Sequence, residues 1–244
     1  SELVEAGGEI PLGRNIESNS LLMKGKIEQW GGEALLFPIT PDDPEAIEAT
    51  LRKAAAEADI IVLNAGSSKG SDDWSLEILE QIGTVLYHQT SHGPGHHSSA
   101  SVLEGTPVIG ISGPPGGAAF TTDFYLRPAM RKFLGLDPYA TSIPVKLAAE
   151  FAGKGPGMGG AKGAAGKIAG EQRPSEESPF VGIKQMMLEV GEDGTILATP
   201  ASGTHLEPLE AEQARAYFGL ATGADGSRPQ AGDVIEVTLR PEWS

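Results

Sequence analysis

The stretch NAGSSKGSDDW, residues 64–74, concentrates residue types that bind anions. It follows the apolar run ADIIVL and precedes apolar residues at helical spacing, a pattern that predicts a strand, a loop and a helix. Gly66, Ser68 and Gly70 can offer backbone amides and a hydroxyl to an anion beyond the carboxyl end of the strand. Asp73 would repel such an anion unless a divalent cation bridges the two. Alternatively, the neighbouring aspartate only caps the helix.

Four of the five histidines, His88, His92, His96 and His97, lie within ten residues of one another. One interpretation is a transition-metal site, because imidazole binds Zn²⁺, Cu²⁺ and Ni²⁺. Their spacing matches no closed zinc motif, and the intervening Gly-Pro-Gly prevents a helix that could align them. A second interpretation places His96 or His97 against an anion, and a third leaves all four as ordinary loop residues. The sequence alone does not distinguish between these three interpretations.

The charge balance excludes several classes of partner. The 244 residues carry 33 acidic and 18 basic side chains, a net charge of −15 at pH 7. We therefore expect neither nucleic acid nor a membrane as partner, since both attract basic surfaces. Cysteine is absent, which excludes disulfides and thiolate chemistry. No run approaches the roughly 18 apolar residues of a membrane span, and no secretion signal opens the sequence, so we expect a soluble, cytoplasmic protein.

Residues 1 to about 136 alternate between helical and strand-like patterns. EALLFPI, DIIVL, TVLYHQ and TPVIGIS have the length and composition of buried strands. PEAIEATLRKAAAEA, with Asp42 or Asp43 as its cap, and the long stretch that opens at GPPGGAAF have helical spacing. This alternation predicts an α/β domain with a mostly parallel sheet, helices on both faces and functional loops at one edge.

Residues 137–244 follow a different pattern. VGIKQMMLEV, TILATP and DVIEVTLRP are short strand candidates separated by turns, which predicts a small all-β domain. The segment at about 153–178 is dominated by Gly, Ala, Lys and Pro and has too few apolar residues to fold by itself, so we expect a flexible insertion. Its lysines, Lys154, Lys162 and Lys167, could reach over an anionic ligand, or the segment is simply solvated.

Several segments carry motifs in a fixed order. SELVEAGGEIPLGRNIESNS matches a G-D-E-L and D-x-N opening, with Glu17 and Asn19 at the aspartate and asparagine positions. The loop at 64–74 matches S-G-G-x-S-x-G-x-x-D-[YW] at Gly66, Ser68, Gly70 and Asp73, while Asn64 and Ala65 replace its first serine and first glycine. GISGPPGGAAF matches G-L-P-G-N-P-V-S-A, and AGDVIEVTL matches a final G-[DE]-x-[IV]-E-V strand. In these motifs the sequence resembles the molybdopterin molybdenumtransferase family, also called the MoeA/gephyrin family.

The resemblance implies a fold and a function. The fold is a three-layer αβα molybdopterin-binding domain over 1–136 with a C-terminal β domain over 137–244, without the two N-terminal domains of the full-length family. The chain is then either a fragment or naturally short. The activity is the insertion of molybdate into adenylated molybdopterin with Mg²⁺. A homodimer and a molybdopterin adenylyltransferase as partner are also implied.

The resemblance assigns Asp73 and Glu17 to catalysis and to Mg²⁺. The ligand-binding residues that it implies are Asn19, Gly66, Ser68, Gly70, His96, Gly113, Pro115 and Gly116. Gly93 and His96 stand where the family has two lysines, and Pro114 stands where it has an asparagine, so cations and a donor are lost. The lost lysines favour a binding module without transfer chemistry, whereas Asp73 favours a transferase. Both functions stay open.

Overall fold

The computed structural model describes residues 3–4, 7, 11–64, 74–151, 180–201, 215–221 and 228–240. The predicted insertion at about 153–178 lies outside the described residues. The chain divides into two compact units, Ser1–Thr90 with Pro94–Pro138, and Ser91–Gly93 with Tyr139–Ser244. The predicted domain bounds, 1–136 and 137–244, stay a prediction. The second of the two compact units also includes Ser91–Gly93.

Helices and strands alternate along the first unit and give way to strands in the second. In chain order the described elements are β1 Leu3–Val4, β2 Asn15–Ile16, α1 Asn19–Gln29, α2 Pro44–Glu57, β3 Ile61–Asn64, α3 Trp74–Ile82, β4 Thr84–His88, β5 His92–Gly93, β6 Ser99–Leu103, β7 Thr106–Ile111, α4 Pro115–Thr121, a π-helical turn Thr122–Leu126, α5 Arg127–Phe133, β8 Ser142–Leu147, β9 Val181–Val190, β10 Ile196–Pro200, β11 Arg215–Ala221 and β12 Val234–Leu239. None of the described helices has the length and apolar character needed to cross a membrane.

The first unit is built on a four-stranded sheet in the order β3-β7-β6-β4. β3 and β7 pair in parallel, while β7 with β6 and β6 with β4 pair antiparallel. The predicted α/β class is confirmed, but the described strands form a mixed sheet and not a mostly parallel one. The reason lies between β6 and β7, where Glu104 and Gly105 both have positive φ, 52° and 91°, as in the tight turns that reverse a hairpin.

Helices cover both faces of this sheet, as the αβα prediction requires. Along β7, Val108 packs with α2 and α3, whereas Ile109 and Ile111 pack with α1, α4 and α5, because successive strand residues point to opposite faces. The cluster on the first face contains Leu51, Ala54, Ile61, Ile78, Leu79, Leu103 and Val108. The cluster on the second contains Met23, Ile109, Ile111, Ala118, Leu126 and Met130. The sheet is therefore the middle of three layers.

Helix α2 begins where the sequence indicates. The carboxylate of Asp43 accepts a hydrogen bond from the backbone N–H of Ala46 at 2.9 Å, and Pro44 occupies the first turn. Leu51 and Ala54 face the core at helical spacing. The predicted helix and its cap are confirmed, with Asp43 as the capping residue.

The segment EALLFPI does not form the strand predicted for it. Residues 33–40 belong to no described strand, and Leu35 and Leu36 are 47% and 50% exposed. A strand is defined by hydrogen bonds to a neighbouring strand, and within the described ranges no strand pairs with this segment. The segment therefore has the composition of a strand but forms no hydrogen bonds with a described neighbouring strand.

A buried ion pair connects α1 to the π-helical turn. The ammonium of Lys26 pairs with the carboxylate of Asp123, and the two side chains are 16% and 1% exposed. Trp30 lies beside them, with the Lys26 ammonium 5.7 Å and the Arg127 guanidinium 6.0 Å from its ring centroid. The extra residue of a π-turn shifts the helix face, and here it places Asp123 inward.

The second unit is a small β barrel with one added strand. Its strand order is β10-β8-β12-β11-β9-β5, and a further pairing of β10 with β9 closes β8 to β12 into a ring. The interior is filled by Val145, Leu147, Phe151, Met186, Leu188, Ala198, Ala216, Leu220, Ile235 and Val237. The predicted all-β unit is confirmed.

Candidate functional site

The candidate site lies at the carboxyl ends of β3 and β7. These two strands pair in parallel, with Asn64 opposite Ile111, so the loops that follow them leave the same edge of the sheet. Helix α1 begins at this edge with Asn19, which is only 6% exposed. In open α/β sheets this edge is where ligands bind.

Side chains at the start of α1 and the end of β3 connect these two elements to the turn after β7. The amide nitrogen Nδ2 of Asn19 donates to the carbonyl of Gly113 at 2.8 Å and to Oδ1 of Asn64 at 3.2 Å. The amide nitrogen of Asn64 donates in turn to Oε1 of Glu17 at 2.8 Å. One continuous hydrogen-bond chain therefore runs from Glu17 through Asn64 and Asn19 to the turn after β7.

Glu17 holds the first turn of α1. Its Oε1 accepts from the backbone N–H of Ser20 at 3.1 Å, and its Oε2 accepts from the Ser20 hydroxyl. A carboxylate has about four lone-pair positions, and with the bond from Asn64 three are used here. Glu17 can therefore offer one oxygen position to a cation, and any further ligands must come from elsewhere.

The turn after β7 packs closely against the segment that contains His96. Gly95 is buried, and its carbonyl accepts from the Ser98 hydroxyl at 2.5 Å. The Ser98 hydroxyl lies 3.0 Å from that of Thr121, which donates to the carbonyl of Gly117 at 2.8 Å. A Cβ atom on Gly117 would lie 2.8 Å from Oγ of Ser112 and 3.5 Å from the backbone nitrogen of Gly95. The segment with Gly95 and Ser98 is therefore packed tightly against the turn after β7 and the start of α4.

His96 has a defined orientation. Its Nδ1 lies 2.5 Å from the carbonyl of Thr90, and only a protonated Nδ1 can donate to that oxygen. In the neutral ring Nε2 is then the unprotonated nitrogen. The ring of His97 lies beside it, with centroids 4.7 Å apart. In the described part of the chain no three His, Cys, Asp or Glu side chains are grouped to hold a metal ion.

Tyr125 contacts the side chain of Thr90, and Tyr87 lies beside Tyr125. The rings of Tyr87 and Tyr125 are 6.2 Å apart by their centroids. Burial raises the pKa of Tyr87 to about 12, and the charge of Tyr125 adds to this rise. Burial also raises the pKa of Tyr125, partly offset by its hydrogen bond with the Thr90 side chain. Both phenols therefore stay protonated at neutral pH and can donate hydrogen bonds but not act as bases.

The structure brings together part of the predicted site. Glu17, Asn19 and Gly113 belong to one hydrogen-bond chain, while Pro115 and Gly116 form the exposed first turn of α4. The predicted residues Gly66, Ser68, Gly70 and Asp73 lie outside the described residues. Sequence reasoning missed Asn64 as a site residue. Its signal was its position at the end of an apolar strand, immediately before the glycine-rich loop.

We expect Gly117→Ala to lower the free energy of unfolding by about 1–3 kcal/mol, because the new methyl group overlaps Ser112 in a buried turn. Gly116→Ala is the matched control on the same helix, since a Cβ there meets nothing within 4 Å. It should be neutral or stabilising by up to about 1 kcal/mol. Urea unfolding followed by tryptophan fluorescence measures both. Equal effects of the two variants would contradict the close approach of the loops.

Comparisons with known proteins identify the family to which the chain is similar. A family model described as a probable molybdopterin binding domain matches residues 2–132. The molybdopterin molybdenumtransferase of Staphylococcus epidermidis is 27% identical over 153 residues, 62% of this chain and 36% of that protein. That of Nostoc sp. is 30% identical over 139 residues, 55% of this chain and 32% of that protein.

Solved structures show the same fold over nearly the whole chain. Two crystal structures of the molybdopterin biosynthesis MoeA protein from Pyrococcus horikoshii match with TM-scores of 0.66 and 0.59, at 21% and 20% identity. Each match covers 98% of this chain and 51% of that protein, so the chain spans about half the length of these relatives or less. The resemblance predicted from the motifs is confirmed, and the chain belongs to the family of the probable molybdopterin binding domain.

Proposed function

We propose that the first unit binds adenylated molybdopterin at the carboxyl ends of β3 and β7 and supports the insertion of molybdate into it. The observation that carries this proposal is the hydrogen-bond chain from Glu17 through Asn64 and Asn19 to Gly113. It joins the start of α1, the end of β3 and the turn before α4, which are the places where the family motifs lie. Relatives that share this family carry the name molybdopterin molybdenumtransferase.

Different residues of the chain would contact the ligand phosphate and hold the surrounding elements in position. The exposed first turn of α4, with Pro115 and Gly116, leaves room for a ligand phosphate to approach its backbone. The glycine-rich loop at 66–70 would offer further amides and the Ser68 hydroxyl. Asn19 and Asn64 would fix the end of β3 and the turn before α4 against the start of α1, because their amides donate to Gly113 and Glu17.

Glu17 would be the described residue that holds an Mg²⁺ ion. Glu17 keeps one lone-pair position after its three hydrogen bonds, and Mg²⁺ prefers carboxylate and phosphate oxygens with several waters retained. Asp73, three residues beyond Gly70, would be the second carboxylate. When bound, the ion would neutralise charge on the ligand phosphates. Glu17 would then have two tasks, to cap α1 and to face the ion.

The test is a set of titrations with adenylated molybdopterin, with and without Mg²⁺. We expect Glu17→Gln to lower the Mg²⁺-dependent part of the affinity at least about tenfold, since the amide keeps the shape of the side chain but loses its charge. Glu80→Gln, on an exposed position of α3, removes the same charge and should leave the affinity unchanged. Equal affinities of wild type and Glu17→Gln at all Mg²⁺ concentrations would reject the role of Glu17.

The second candidate function is a module that binds the pterin without transferring molybdate. The observation in its favour is that Gly93 and His96 stand in place of two family lysines, so a dianion meets fewer fixed cations. In addition, Nδ1 of His96 donates its hydrogen bond to the carbonyl of Thr90, so only Nε2 could face an anion. Single-turnover reactions with molybdate separate the two functions. Release of AMP supports the transferase, whereas tight binding without AMP release supports the module.

Two further proposals rest on the family resemblance alone. The first is that the protein forms a homodimer, and the second is that a molybdopterin adenylyltransferase delivers the ligand to it. The activity, substrates and partners of the full-length relatives are proposals for this chain, because it spans about half of those proteins or less.

A further inference from the structure

Helix α1 holds the segment 113–127 at two points. At the first point, Nδ2 of Asn19 donates to the carbonyl of Gly113 at 2.8 Å, just before α4 begins. At the second, the ammonium of Lys26 pairs with the carboxylate of Asp123, in the π-helical turn that follows α4. Asn19 and Lys26 are seven residues apart, so they lie on one face of α1 at a distance of about 10 Å along the helix. α4 also has seven residues, so the two contacts bracket it.

The bracketed helix is continuous with the elements that follow it. α4, the π-helical turn and α5 succeed one another without a break over residues 115–133. The backbone N–H of Arg127 donates to the carbonyl of Thr122, five residues earlier, whereas in an α-helix the acceptor is four residues earlier. The turn therefore holds one residue more than an α-helical turn. Because rigid helices transmit displacements along their length, the conformation of this turn affects where α4 and Gly113 lie.

The ion pair favours the π-helical turn. The carboxylate of Asp123 is only 1% exposed, and the ammonium of Lys26 compensates for its lost hydration. Without the ammonium, the turn is expected to relax to the much commoner α-helical form, which brings the carboxylate toward water. Such a change displaces α4 by the rise of one residue, about 1.5 Å. The bond from Asn19 to Gly113 would then break, since N–H···O bonds weaken beyond about 3.2 Å.

We propose that Lys26 and Asp123 are positioning residues for the candidate site. Their ion pair keeps the π-helical turn formed and thereby holds Gly113 and the first turn of α4 against Asn19. Neither side chain belongs to the hydrogen-bond chain from Glu17 to Gly113, so both act on it through the helix that they anchor. The consequence for ligand affinity rests on the proposed function, whereas the consequence for the Asn19 amide needs no ligand.

Selective labelling with ¹⁵N-asparagine tests this role without a ligand. The full 244-residue chain contains only three asparagines, Asn15, Asn19 and Asn64, so its spectrum shows three side-chain amide groups. Asn15 is exposed and serves as the internal reference. We expect Lys26→Met to shift the Asn19 amide signals at least about halfway toward those of Asn15, because the bond to Gly113 is lost. Chemical shifts report on folded molecules, so a loss of stability alone does not move them.

A double variant separates positioning from stability. Lys26→Met combined with Asp123→Ser removes both charges, so no unpaired carboxylate remains, and the chain should be more stable than with Lys26→Met alone. The pair is still absent, and the Asn19 signals should therefore stay shifted. Lys24→Met, which removes an exposed pair with Glu28 on the same helix, is the matched control and should leave all three amide groups unchanged.

Three results of these spectra would overturn the positioning role. The first is an Asn19 signal at its wild-type position in the double variant, which would show that the site keeps its geometry without the pair. The second is an equal shift of the Asn19 signal in Lys24→Met, which would show that α1 responds to any change of charge. The third is a wild-type Asn19 signal that coincides with that of Asn15, because the bond to Gly113 would then be absent from the start.

The affinity for adenylated molybdopterin is the second measurement. Under conditions in which both proteins are folded, the double variant should bind this ligand at least about tenfold more weakly than the wild type, because sites tolerate displacements of only about 0.5 Å. Equal affinities would overturn the connection between the ion pair and the site. A wild type that does not bind the ligand would instead reject the proposed function, and the Asn19 signals would then decide the positioning role by themselves.

Discussion

Replacement of Lys26 by methionine is expected to lower the free energy of unfolding by about 3 kcal/mol or more. The substitution keeps the length and apolar stem of the side chain but removes its charge, which leaves the carboxylate of Asp123 without the ammonium it pairs with at a nearly inaccessible position. Removal of one partner from a buried ion pair typically costs about 3–5 kcal/mol, because the other charge stays desolvated. Urea unfolding monitored by tryptophan fluorescence measures the change, and Trp30 lies beside the pair.

Lys24 on the same helix is the matched control. It forms an exposed pair with Glu28 at 3.7 Å, in which the side chains are 43% and 52% exposed. Lys24→Met should cost about 0.5 kcal/mol or less, since such surface pairs are screened by water. Addition of Asp123→Asn to Lys26→Met should recover part of the loss by removing the stranded charge. Similar losses for the two lysine variants would show that the buried pair does not stabilise the first unit.

Asn19→Asp is expected to cost about 3 kcal/mol and to disable the site with almost no change of shape. A carboxylate has no donor, so the two N–H contacts to Gly113 and Asn64 become contacts between oxygens in a buried position. The side chain of Asn64 contacts both residue 19 and Glu17, so the new charge would also stand only one side chain away from the Glu17 carboxylate. The free energy of unfolding and the affinity for adenylated molybdopterin should therefore fall together.

Asn15→Asp provides the control for added charge. Asn15 is exposed in β2, four residues before Asn19, so the same substitution should change stability by no more than about 0.5 kcal/mol. Pterin affinity should also be unaffected. If the two variants lost equal stability, the effect would come from net charge in an already acidic chain and not from the hydrogen-bond chain.

Features that depend on local sequence could be predicted. The α2 start is one, because Asp43 and Pro44 act within a single turn of helix. The three layers are another, since the apolar residues of β7 and of the helices alternate at the period of their element. Glu17 and Asn19 could be placed at the site only through motif resemblance, because their hydrogen bonds are to residues far along the chain.

Features that depend on a distant partner could not be predicted from local pattern. EALLFPI has the composition of a strand, but a strand also needs a neighbour, and no sequence window contains one. The mixed pairing of the sheet depends on Glu104, whose positive φ is unusual for a residue with a side chain and makes the two-residue turn hard to recognise. Asn64 was missed because its role is defined by Glu17 and Asn19, which lie more than forty positions before it.

The strand pairings of the first sheet also imply an order of assembly. β6 and β7 need to close only the turn at Glu104 and Gly105, a step that takes microseconds in isolated hairpins. β3 and β7 must close everything between Asn64 and Thr106, and the entropic barrier to contact rises with the length of the closed loop. Asn64 reaches the turn after β7 only through this late, long-range pairing. The candidate site is therefore expected to be among the last parts to form during folding, after the sheet core around β6 and β7.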